Sequence, residues 1–175
     1  LNGKKNFSQA QGTKINYMQI LKFLPSLEKT LLTPTLLESV RNKLQKSVNY
    51  GKHTNIYRIF LRMYENDGDF LEWHYDNNFT KGARYTLVMP LYVDDCNTSN
   101  LLIKDRKDGF EKEILLNVGQ SVLYNGSEVY HRVTKQTQGC KRLVVIIPFY
   151  ENEDYRPLGK IREKVRDVTD KVLSL

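Results

Sequence analysis

Hydrophobic residues recur at helical spacing in the first third of the chain. Thr33 and Pro34 have the side chains of a helix N-cap and a first helical position. The apolar residues that follow share one face of the predicted helix and are Leu36, Leu37, Val40, Leu44 and Val48. Such a stripe is typical of a helix that packs against a protein core. We therefore expect residues 1–54 to form a mainly helical support.

From residue 55 to residue 150 the pattern changes to short runs rich in β-branched and aromatic residues. The runs predict about eight strands, at residues 56–64, 70–76, 84–93, 101–104, 114–117, 121–124, 129–134 and 142–149. Turn signals such as Asp67-Gly68 and Asn125-Gly126 separate them. Strands of this number and spacing predict a β-sandwich or a β-barrel.

An amphipathic segment follows the β-rich region. Its apolar residues recur at helical spacing among alternating charges and are Ile161, Val165, Val168 and Val172. This pattern predicts that residues 151–175 contain a C-terminal helix packed on the β unit. Because the chain shows neither an internal repeat nor a low-complexity linker, we expect residues 1–175 to form a single domain, mainly β with flanking helices, in the α+β class.

The composition, with 40% hydrophobic and 27% charged residues, is that of a globular protein. The formal net charge of +7 and the pI of about 9.3 would suit attraction to nucleic acid or to an acidic substrate. Most basic residues, however, are interleaved with Asp and Glu, as on solvated surfaces. No apolar run reaches the roughly 18 to 20 residues of a membrane-spanning helix. The charge by itself therefore favours a solvated surface over a nucleic-acid interface.

Cys96 and Cys140 are the only cysteines in the sequence. Two cysteines are too few for a disulfide-rich scaffold, and they lack the CxxC spacing of zinc and redox sites. We expect free thiols in a reducing compartment, with a single disulfide as the alternative. The expected location is therefore cytoplasmic, and a removed signal or anchor is the alternative, because the sequence begins at Leu1 rather than Met.

Three histidines occur in the chain, and one of them begins an HxD motif at the end of a predicted strand. Because side chains alternate along a strand, His74 and Asp76 point to the same side. His131 lies in another predicted strand, where Val129 and Val133 share its face and point to the apolar interior. Two imidazoles and one carboxylate form the facial triad that binds iron(II) and leaves coordination positions open. Taken separately, the HxD pair also fits a turn or an ion pair, and His131 a structural histidine.

Arg142 opens an apolar predicted strand that should be buried on both faces. A buried guanidinium raises the free energy of the folded state unless an anion pairs with it. A fixed anionic ligand would offset that cost. The alternatives are an ion pair with Asp94 or Asp95 and a position at an exposed strand end.

Together, the HxD motif, the distal histidine and an arginine 11 residues after it resemble the 2-oxoglutarate- and iron(II)-dependent oxygenases, in particular the prolyl 4-hydroxylase branch. The resemblance covers residues 57–150 and implies a double-stranded β-helix, the jelly-roll core shared with cupins. It implies that His74, Asp76 and His131 bind iron. It also implies that Arg142 holds the distal carboxylate of 2-oxoglutarate. Tyr64, ten residues before His74, matches a tyrosine whose phenol reaches the co-substrate.

The same resemblance makes Arg84 a candidate substrate-side residue, with a surface arginine as the alternative. It implies hydroxylation of an unactivated C–H bond, with dioxygen and 2-oxoglutarate as co-substrates and release of succinate and CO2. Ascorbate is a further candidate cofactor. The expected substrate is a prolyl or lysyl side chain in a protein or peptide.

The sequence also departs from the pattern of this family. Residues 97–100 replace a Gly-Gly turn that many relatives have, so we expect the loop beside the site to differ. Pro148 stands where the nucleic-acid dealkylating branch has a second arginine, which ranks demethylation of nucleic acid below protein hydroxylation. A small-molecule oxygenase is a further enzymatic alternative, and a jelly-roll module that binds a ligand or nucleic acid is the non-enzymatic one. His53 has no ligand-like neighbour and is expected at the surface.

Overall fold

The computed structural model describes residues 10–104 and 109–172, with side chains as far as residue 165. The strands are β1 (Thr13–Ile15), β2 (Asn49–Tyr50), β3 (Phe60–Tyr64), β4 (Leu71–His74), β5 (Arg84–Val93), β6 (Leu101–Lys104), β7 (Glu111–Ile114), β8 (Val122–Asn125), β9 (Tyr130–Val133) and β10 (Arg142–Tyr150). The helices are α1 (Tyr17–Phe23), α2 (Pro25–Leu31), α3 (Pro34–Leu44) and α4 (Gly159–Val172).

Two antiparallel sheets form the β unit. The larger sheet has the order β1-β3-β10-β5-β8, with β2 paired to β10, and the smaller sheet has the order β4-β9-β6-β7. From β3 to β10 the chain passes repeatedly between the two sheets, so neighbours in a sheet are mostly distant in sequence. This arrangement confirms the predicted double-stranded β-helix.

Two predicted strands differ from the observed ones. Residues 56–59 are not strand, because Asn55 forms a turn in which its side chain accepts a hydrogen bond from the Tyr57 amide at 2.8 Å. Residues 115–117 are also outside the sheet, and β7 lies earlier, at Glu111–Ile114. β7 is an edge strand with three charged residues, so it has no hydrophobic pattern that the sequence could reveal.

The predicted N-terminal helix is α3, and residues at its two ends explain where it begins and where it stops. The Thr33 hydroxyl accepts a hydrogen bond from the Leu36 amide at 3.1 Å, and Pro34 occupies the first turn. The helix ends at Gln45, which has a left-handed backbone with φ of 54°. Val48, which the periodicity assigned to the same stripe, therefore lies beyond the helix, although its side chain is buried.

The central strand β10 has a different environment on each face. Its outward residues, among them Val145 and Ile147, pack with Ile20 of α1 and Val40 of α3 in the main hydrophobic cluster. Its inward residues begin with Arg142 and face the space between the sheets. The helices thus cover one face of the larger sheet, and the other face is left for a cavity.

The C-terminal helix forms as predicted, but its predicted packing on the β unit is wrong for the described part. Ile161 and Val165 are 59% and 61% exposed, whereas the side chains of Val168 and Val172 lie outside the described residues. The helix follows a segment that pairs with residues 79–80, where the Arg156 Nε donates to the Thr80 carbonyl at 2.6 Å. That attachment places the start of α4 beside a loop rather than over a sheet.

No helix in the described ranges has the length and apolar character that a membrane crossing requires.

Cys96 and Cys140 form a disulfide, so the expectation of free thiols is wrong. The bond joins the loop after β5 to the turn before β10, two segments that lie side by side because β5 and β10 are paired. Sequence spacing could not show this pairing. Disulfides persist mainly in oxidising compartments, which counts against the cytoplasmic location, and that location stays a prediction.

Candidate active site

His74, Asp76 and His131 meet at one point. His74 ends β4 and is the register partner of His131 on β9, and Asp76 follows two residues after His74. The Asp76 Oδ1 atom lies 3.9 Å from the Nε2 atom of each histidine, and one ligand atom from each residue lies within 4.8 Å of the others. The strand pairing thus brings together the three side chains that the sequence singled out.

Backbone carbonyls orient both imidazoles. The Nδ1 atom of His74 lies 2.7 Å from the Glu72 carbonyl, and that of His131 lies 2.9 Å from the Val129 carbonyl. A proton on each Nδ1 satisfies these acceptors and leaves the Nε2 lone pairs directed at the common point. Burial, together with the neighbouring His131, lowers the pKa of His74 below its usual 6.5, which favours the neutral imidazole that a metal needs.

One side-chain contact and one backbone contact hold Asp76 in place. Thr86 donates its hydroxyl hydrogen to Oδ2 at 2.5 Å, and the Asp76 amide donates to the Gly126 carbonyl at 2.7 Å. Burial would raise the pKa of Asp76, but the charges of Arg84 and His131 and the Thr86 hydrogen bond outweigh it, so the pKa lies below its usual value. Two imidazoles beside an ionised carboxylate match the donor set that iron(II) takes.

The triad opens into a cavity of about 270 Å³ between the two sheets. Its walls carry apolar residues of both sheets, including Leu71, Val133, Val144 and Ile146. Polar groups converge in a few places, as in a ligand-binding site rather than an imperfectly packed core.

Arg142 lies in the wall of this cavity and is 2% exposed, so the alternative of an exposed strand end is wrong. Its Nη1 atom donates to the Ser99 carbonyl at 2.7 Å, and its guanidinium lies 6.0 Å from the centre of the Tyr64 ring. Asp94 accepts instead from the Lys141 amide and from Tyr92. Burial lowers the pKa of Arg142, as expected for a guanidinium without an anionic partner among the described residues. Residues 97–100, which replace the Gly-Gly turn, thus supply the carbonyl that orients Arg142.

Tyr64 and Arg84 also reach the cavity. Tyr64 is 1% exposed, and burial raises the pKa of its phenol. Arg84 is 6% exposed, which makes the surface alternative wrong; its Nη1 atom donates to the Asn77 carbonyl at 2.5 Å. The charge of Arg84 lowers the pKa of Asp76, so Arg84 favours the ionised form of that carboxylate as well as lining the space beside it.

Sequence reasoning missed two residues that complete the site. Thr86 was only part of a predicted strand, yet it positions Asp76. Tyr124 of β8 lies with its ring centre 4.9 Å from that of His131, and burial raises the pKa of its phenol well above the usual value. Each is an ordinary strand residue in the sequence. Only the pairing of Thr86 with Tyr124 across β5 and β8 places them beside the triad.

His53 lies apart from the site with its side chain 75% exposed, as predicted.

Solved structures share this fold. The 2OG-Fe(II) oxygenase family oxidoreductase from Burkholderia pseudomallei matches at a TM-score of 0.58 and 12% identity, over 75% of this chain and 58% of its own. The non-haem α-ketoglutarate-dependent epimerase SnoN from nogalamycin biosynthesis matches at 0.64 and 12% identity, over 86% and 68%. The viral collagen prolyl hydroxylase from Paramecium Bursaria Chlorella virus-1 matches at 0.53 and 13% identity, over 81% and 80%.

The chain has the fold of the 2-oxoglutarate oxygenases. The shared fold confirms the resemblance on which the sequence-based prediction rests. At sequence identities of 12% and 13%, this similarity is one of fold. The chain spans less than two thirds of the length of the Burkholderia protein. Neither a family model nor a curated protein sequence matches the chain.

Proposed function

We propose that this protein is an iron(II)- and 2-oxoglutarate-dependent oxygenase that hydroxylates an unactivated C–H bond. The observation that carries the proposal is that a two-histidine, one-carboxylate cluster opens into the same cavity as a buried arginine with no carboxylate partner among the described residues. The cluster matches iron(II), and the arginine matches the far carboxylate of a keto acid. A structural role for the histidines would not require Arg142 in the same cavity.

Each residue then has a defined task. His74, Asp76 and His131 hold iron(II), which when bound supplies the oxidative decarboxylation of 2-oxoglutarate to succinate and CO2 coupled to hydroxylation of the substrate. Arg142 and Tyr64 bind the distal carboxylate of 2-oxoglutarate and so fix its direction in the cavity. Dioxygen is the second co-substrate, and ascorbate is the proposed reductant that protects the iron from inactivation.

We infer that the substrate is a prolyl or lysyl side chain in a protein. The entrance supports this inference, because Tyr75 lines the cavity, is 40% exposed and packs on Tyr130, which stacks on Trp73 with ring centres 5.2 Å apart. Flat aromatic surfaces suit an extended peptide and the ring of a proline. The viral protein with this fold is by its title a collagen prolyl hydroxylase.

The test is anaerobic binding of iron(II) and 2-oxoglutarate followed by visible spectroscopy, together with succinate formation in air. A keto acid that chelates iron gives a weak visible charge-transfer band, which structural histidines cannot produce. We expect the band and succinate in the wild-type protein and in His53→Ala, and neither in His74→Ala or Asp76→Ala with circular dichroism unchanged. Absence of the band in the wild-type protein would contradict the oxygenase and favour a binding module.

A further inference from the structure

Tyr124 is a phenol in the cavity to which the proposed function gives no task. It lies on β8, and its register partner across β5 is Thr86, the residue that donates to Asp76. The side chain lines the same cavity as the triad and is half-buried. Its hydroxyl makes no hydrogen bond with any residue that the structure describes. Because tyrosine hydroxyls in a protein interior usually have a partner, this one indicates contact with a ligand.

The ring of Tyr124 packs at the triad. Its centre lies 4.9 Å from that of the His131 ring, with the two planes inclined at 64°. Tyr64, in contrast, is the register partner of Arg142 across β3 and β10, and its ring centre lies 6.0 Å from that guanidinium. The two tyrosines therefore belong to different parts of the cavity, one beside a candidate metal ligand and the other beside the arginine.

The Tyr124 hydroxyl is available as a hydrogen-bond donor. Burial raises the pKa of the phenol well above its usual value, so the hydroxyl keeps its hydrogen near neutral pH. Asp76 does not accept that hydrogen, since its Oδ2 atom accepts from Thr86 and its Oδ1 atom lies 3.9 Å from the Nε2 atom of each histidine. A carboxylate or keto oxygen of a ligand would complete the contact.

Packing alone does not explain a tyrosine at this position. A phenylalanine would place the same ring against His131 and would not remove a hydroxyl from water without a partner, which raises the free energy of the folded state. The hydroxyl of Tyr124 therefore has a role that the packing of its ring does not supply.

That role follows from the two ends of the co-substrate. Resting on the function proposed above, the end of 2-oxoglutarate that chelates the metal lies beside the triad, and its distal carboxylate pairs with Arg142 and Tyr64. We propose that Tyr124 donates a hydrogen bond to the chelating end of 2-oxoglutarate. Tyr124 is then a third residue that binds the co-substrate, and contacts at both ends of the molecule fix its direction and its rotation in the cavity.

The experiment titrates the iron(II)-loaded protein with 2-oxoglutarate without oxygen and follows the visible charge-transfer band and the heat of binding. Tyr124→Phe should weaken the binding of 2-oxoglutarate about tenfold, as for the loss of one hydrogen bond to a charged group. The band at saturation should also change wavelength, because a hydrogen bond at the chelating end alters charge transfer from iron into the keto acid. Arg142→Ala should weaken binding without moving the band, because it acts at the distal end.

Tyr50→Phe is the matched control. The Tyr50 hydroxyl donates to the Thr33 carbonyl at 2.8 Å, and its ring packs with the main hydrophobic cluster on the helix-covered face of the larger sheet. The substitution therefore removes a tyrosine hydroxyl and a hydrogen bond without touching the cavity. We expect the affinity for 2-oxoglutarate and the wavelength of the band to equal those of the wild-type protein.

The outcomes separate this proposal from the proposed function. A band in the wild-type protein supports the oxygenase, and an unchanged affinity for 2-oxoglutarate in Tyr124→Phe would then overturn only the role of Tyr124. Weaker binding with an unmoved band would assign the contact to the distal carboxylate and overturn the proposal. A weaker affinity of Tyr124→Phe for iron(II) alone would make Tyr124 a support of His131 and overturn it as well. Absence of the band in the wild-type protein contradicts both.

Discussion

At the scale of single residues, the candidate site depends on short contacts that orient each side chain of the triad. The imidazoles of His74 and His131 are oriented by carbonyl groups two residues before each of them. The Asp76 carboxylate depends instead on groups distant in sequence, Thr86 and Gly126. Outer contacts of this kind determine metal affinity almost as strongly as the ligands do. Two substitutions test this view of the site.

Gly126→Ala should weaken iron binding. A Cβ atom at residue 126 would lie 2.1 Å from Asp76 Oδ2 and 2.6 Å from the Thr86 hydroxyl, so the carboxylate must move. We expect the affinity for iron(II) to fall by about 10- to 100-fold, as when other supporting contacts of a metal ligand are lost. Titration with iron(II) in the presence of 2-oxoglutarate measures the loss.

Gly68→Ala is the matched control for that substitution. Gly68 has a φ of +79° and no heavy atom within 4 Å of an added Cβ, so alanine there strains the backbone without touching the site. It should lower the free energy of unfolding by about 1 kcal/mol and leave iron affinity unchanged. Equal iron affinity in Gly126→Ala and Gly68→Ala would contradict the role given to Gly126.

Arg142→Ala should chiefly raise the concentration of 2-oxoglutarate needed for half-maximal succinate formation. Loss of one partner from a buried charged contact typically costs about 2 to 5 kcal/mol, which corresponds to at least about 30-fold. Iron binding without 2-oxoglutarate should change little, because Arg142 contacts Ser99 and Tyr64 rather than the triad. Arg142→Lys, which keeps the charge, should restore part of the affinity. An unchanged requirement in Arg142→Ala would remove the residue from the co-substrate site.

At the scale of elements, the site depends on which strands are neighbours. β10 lies between β3 and β5, and this position puts Arg142 opposite Tyr64 and near the loop that carries Ser99. The Cys96–Cys140 disulfide connects that loop to the segment before β10. The loop also contributes the hydrogen bonds of Thr98 and Asn97 with Gln136, so the covalent link reinforces an arrangement that is already bonded.

Removal of the disulfide should therefore destabilise the protein without unfolding it. The bond closes a segment of 44 residues, and the loss of such a constraint on the unfolded chain costs about 2 to 4 kcal/mol. Cys96→Ser with Cys140→Ser should unfold at lower urea than the wild-type protein. Dithiothreitol should shift the urea unfolding curve of the wild-type protein towards that of the double variant. It should not change the unfolding curve of the double variant. Identical curves for the two proteins in the absence of reductant would show that the bond contributes no stability.

At the scale of the whole molecule, the proposed cofactor couples the two sheets. His74 and His131 belong to the smaller sheet, whereas Thr86 and Arg142 belong to the larger one, and the cavity lies between them. A ligand held by both sheets binds the folded chain and not the unfolded one, so it stabilises the fold by mass action.

Iron(II) with 2-oxoglutarate should raise the melting temperature, and a chelator should reverse the rise. At a hundredfold excess over the dissociation constant the stabilisation is about 2.7 kcal/mol. Because the pKa of His74 is lowered from 6.5 in the folded chain, the neutral imidazole persists at and above that pH. As the pH falls further, protons compete with the metal and the stabilisation should disappear. Differential scanning fluorimetry from pH 5 to pH 8 measures the shift, and the same shift in Asp76→Ala would exclude the triad as its source.

The sequence by itself determined the features that depend on neighbouring residues. The cap at Thr33, the alternation along the strands and the HxD pair follow from local geometry, and they predicted α3, most strands and the positions of His74 and Asp76. The resemblance extended this to His131, Arg142 and Tyr64, which the structure brings to one cavity.

Only the tertiary structure decided the features that depend on residues far apart in sequence. Cys96 and Cys140 are bonded because β5 and β10 are paired, and Thr86 and Tyr124 join the site because β5 and β8 are. The apolar stripe of α4 predicted packing that the fold leaves exposed at Ile161 and Val165. The physical reason is that a periodic pattern shows which face of an element is apolar, whereas the partner of that face is chosen by the pairing of distant segments.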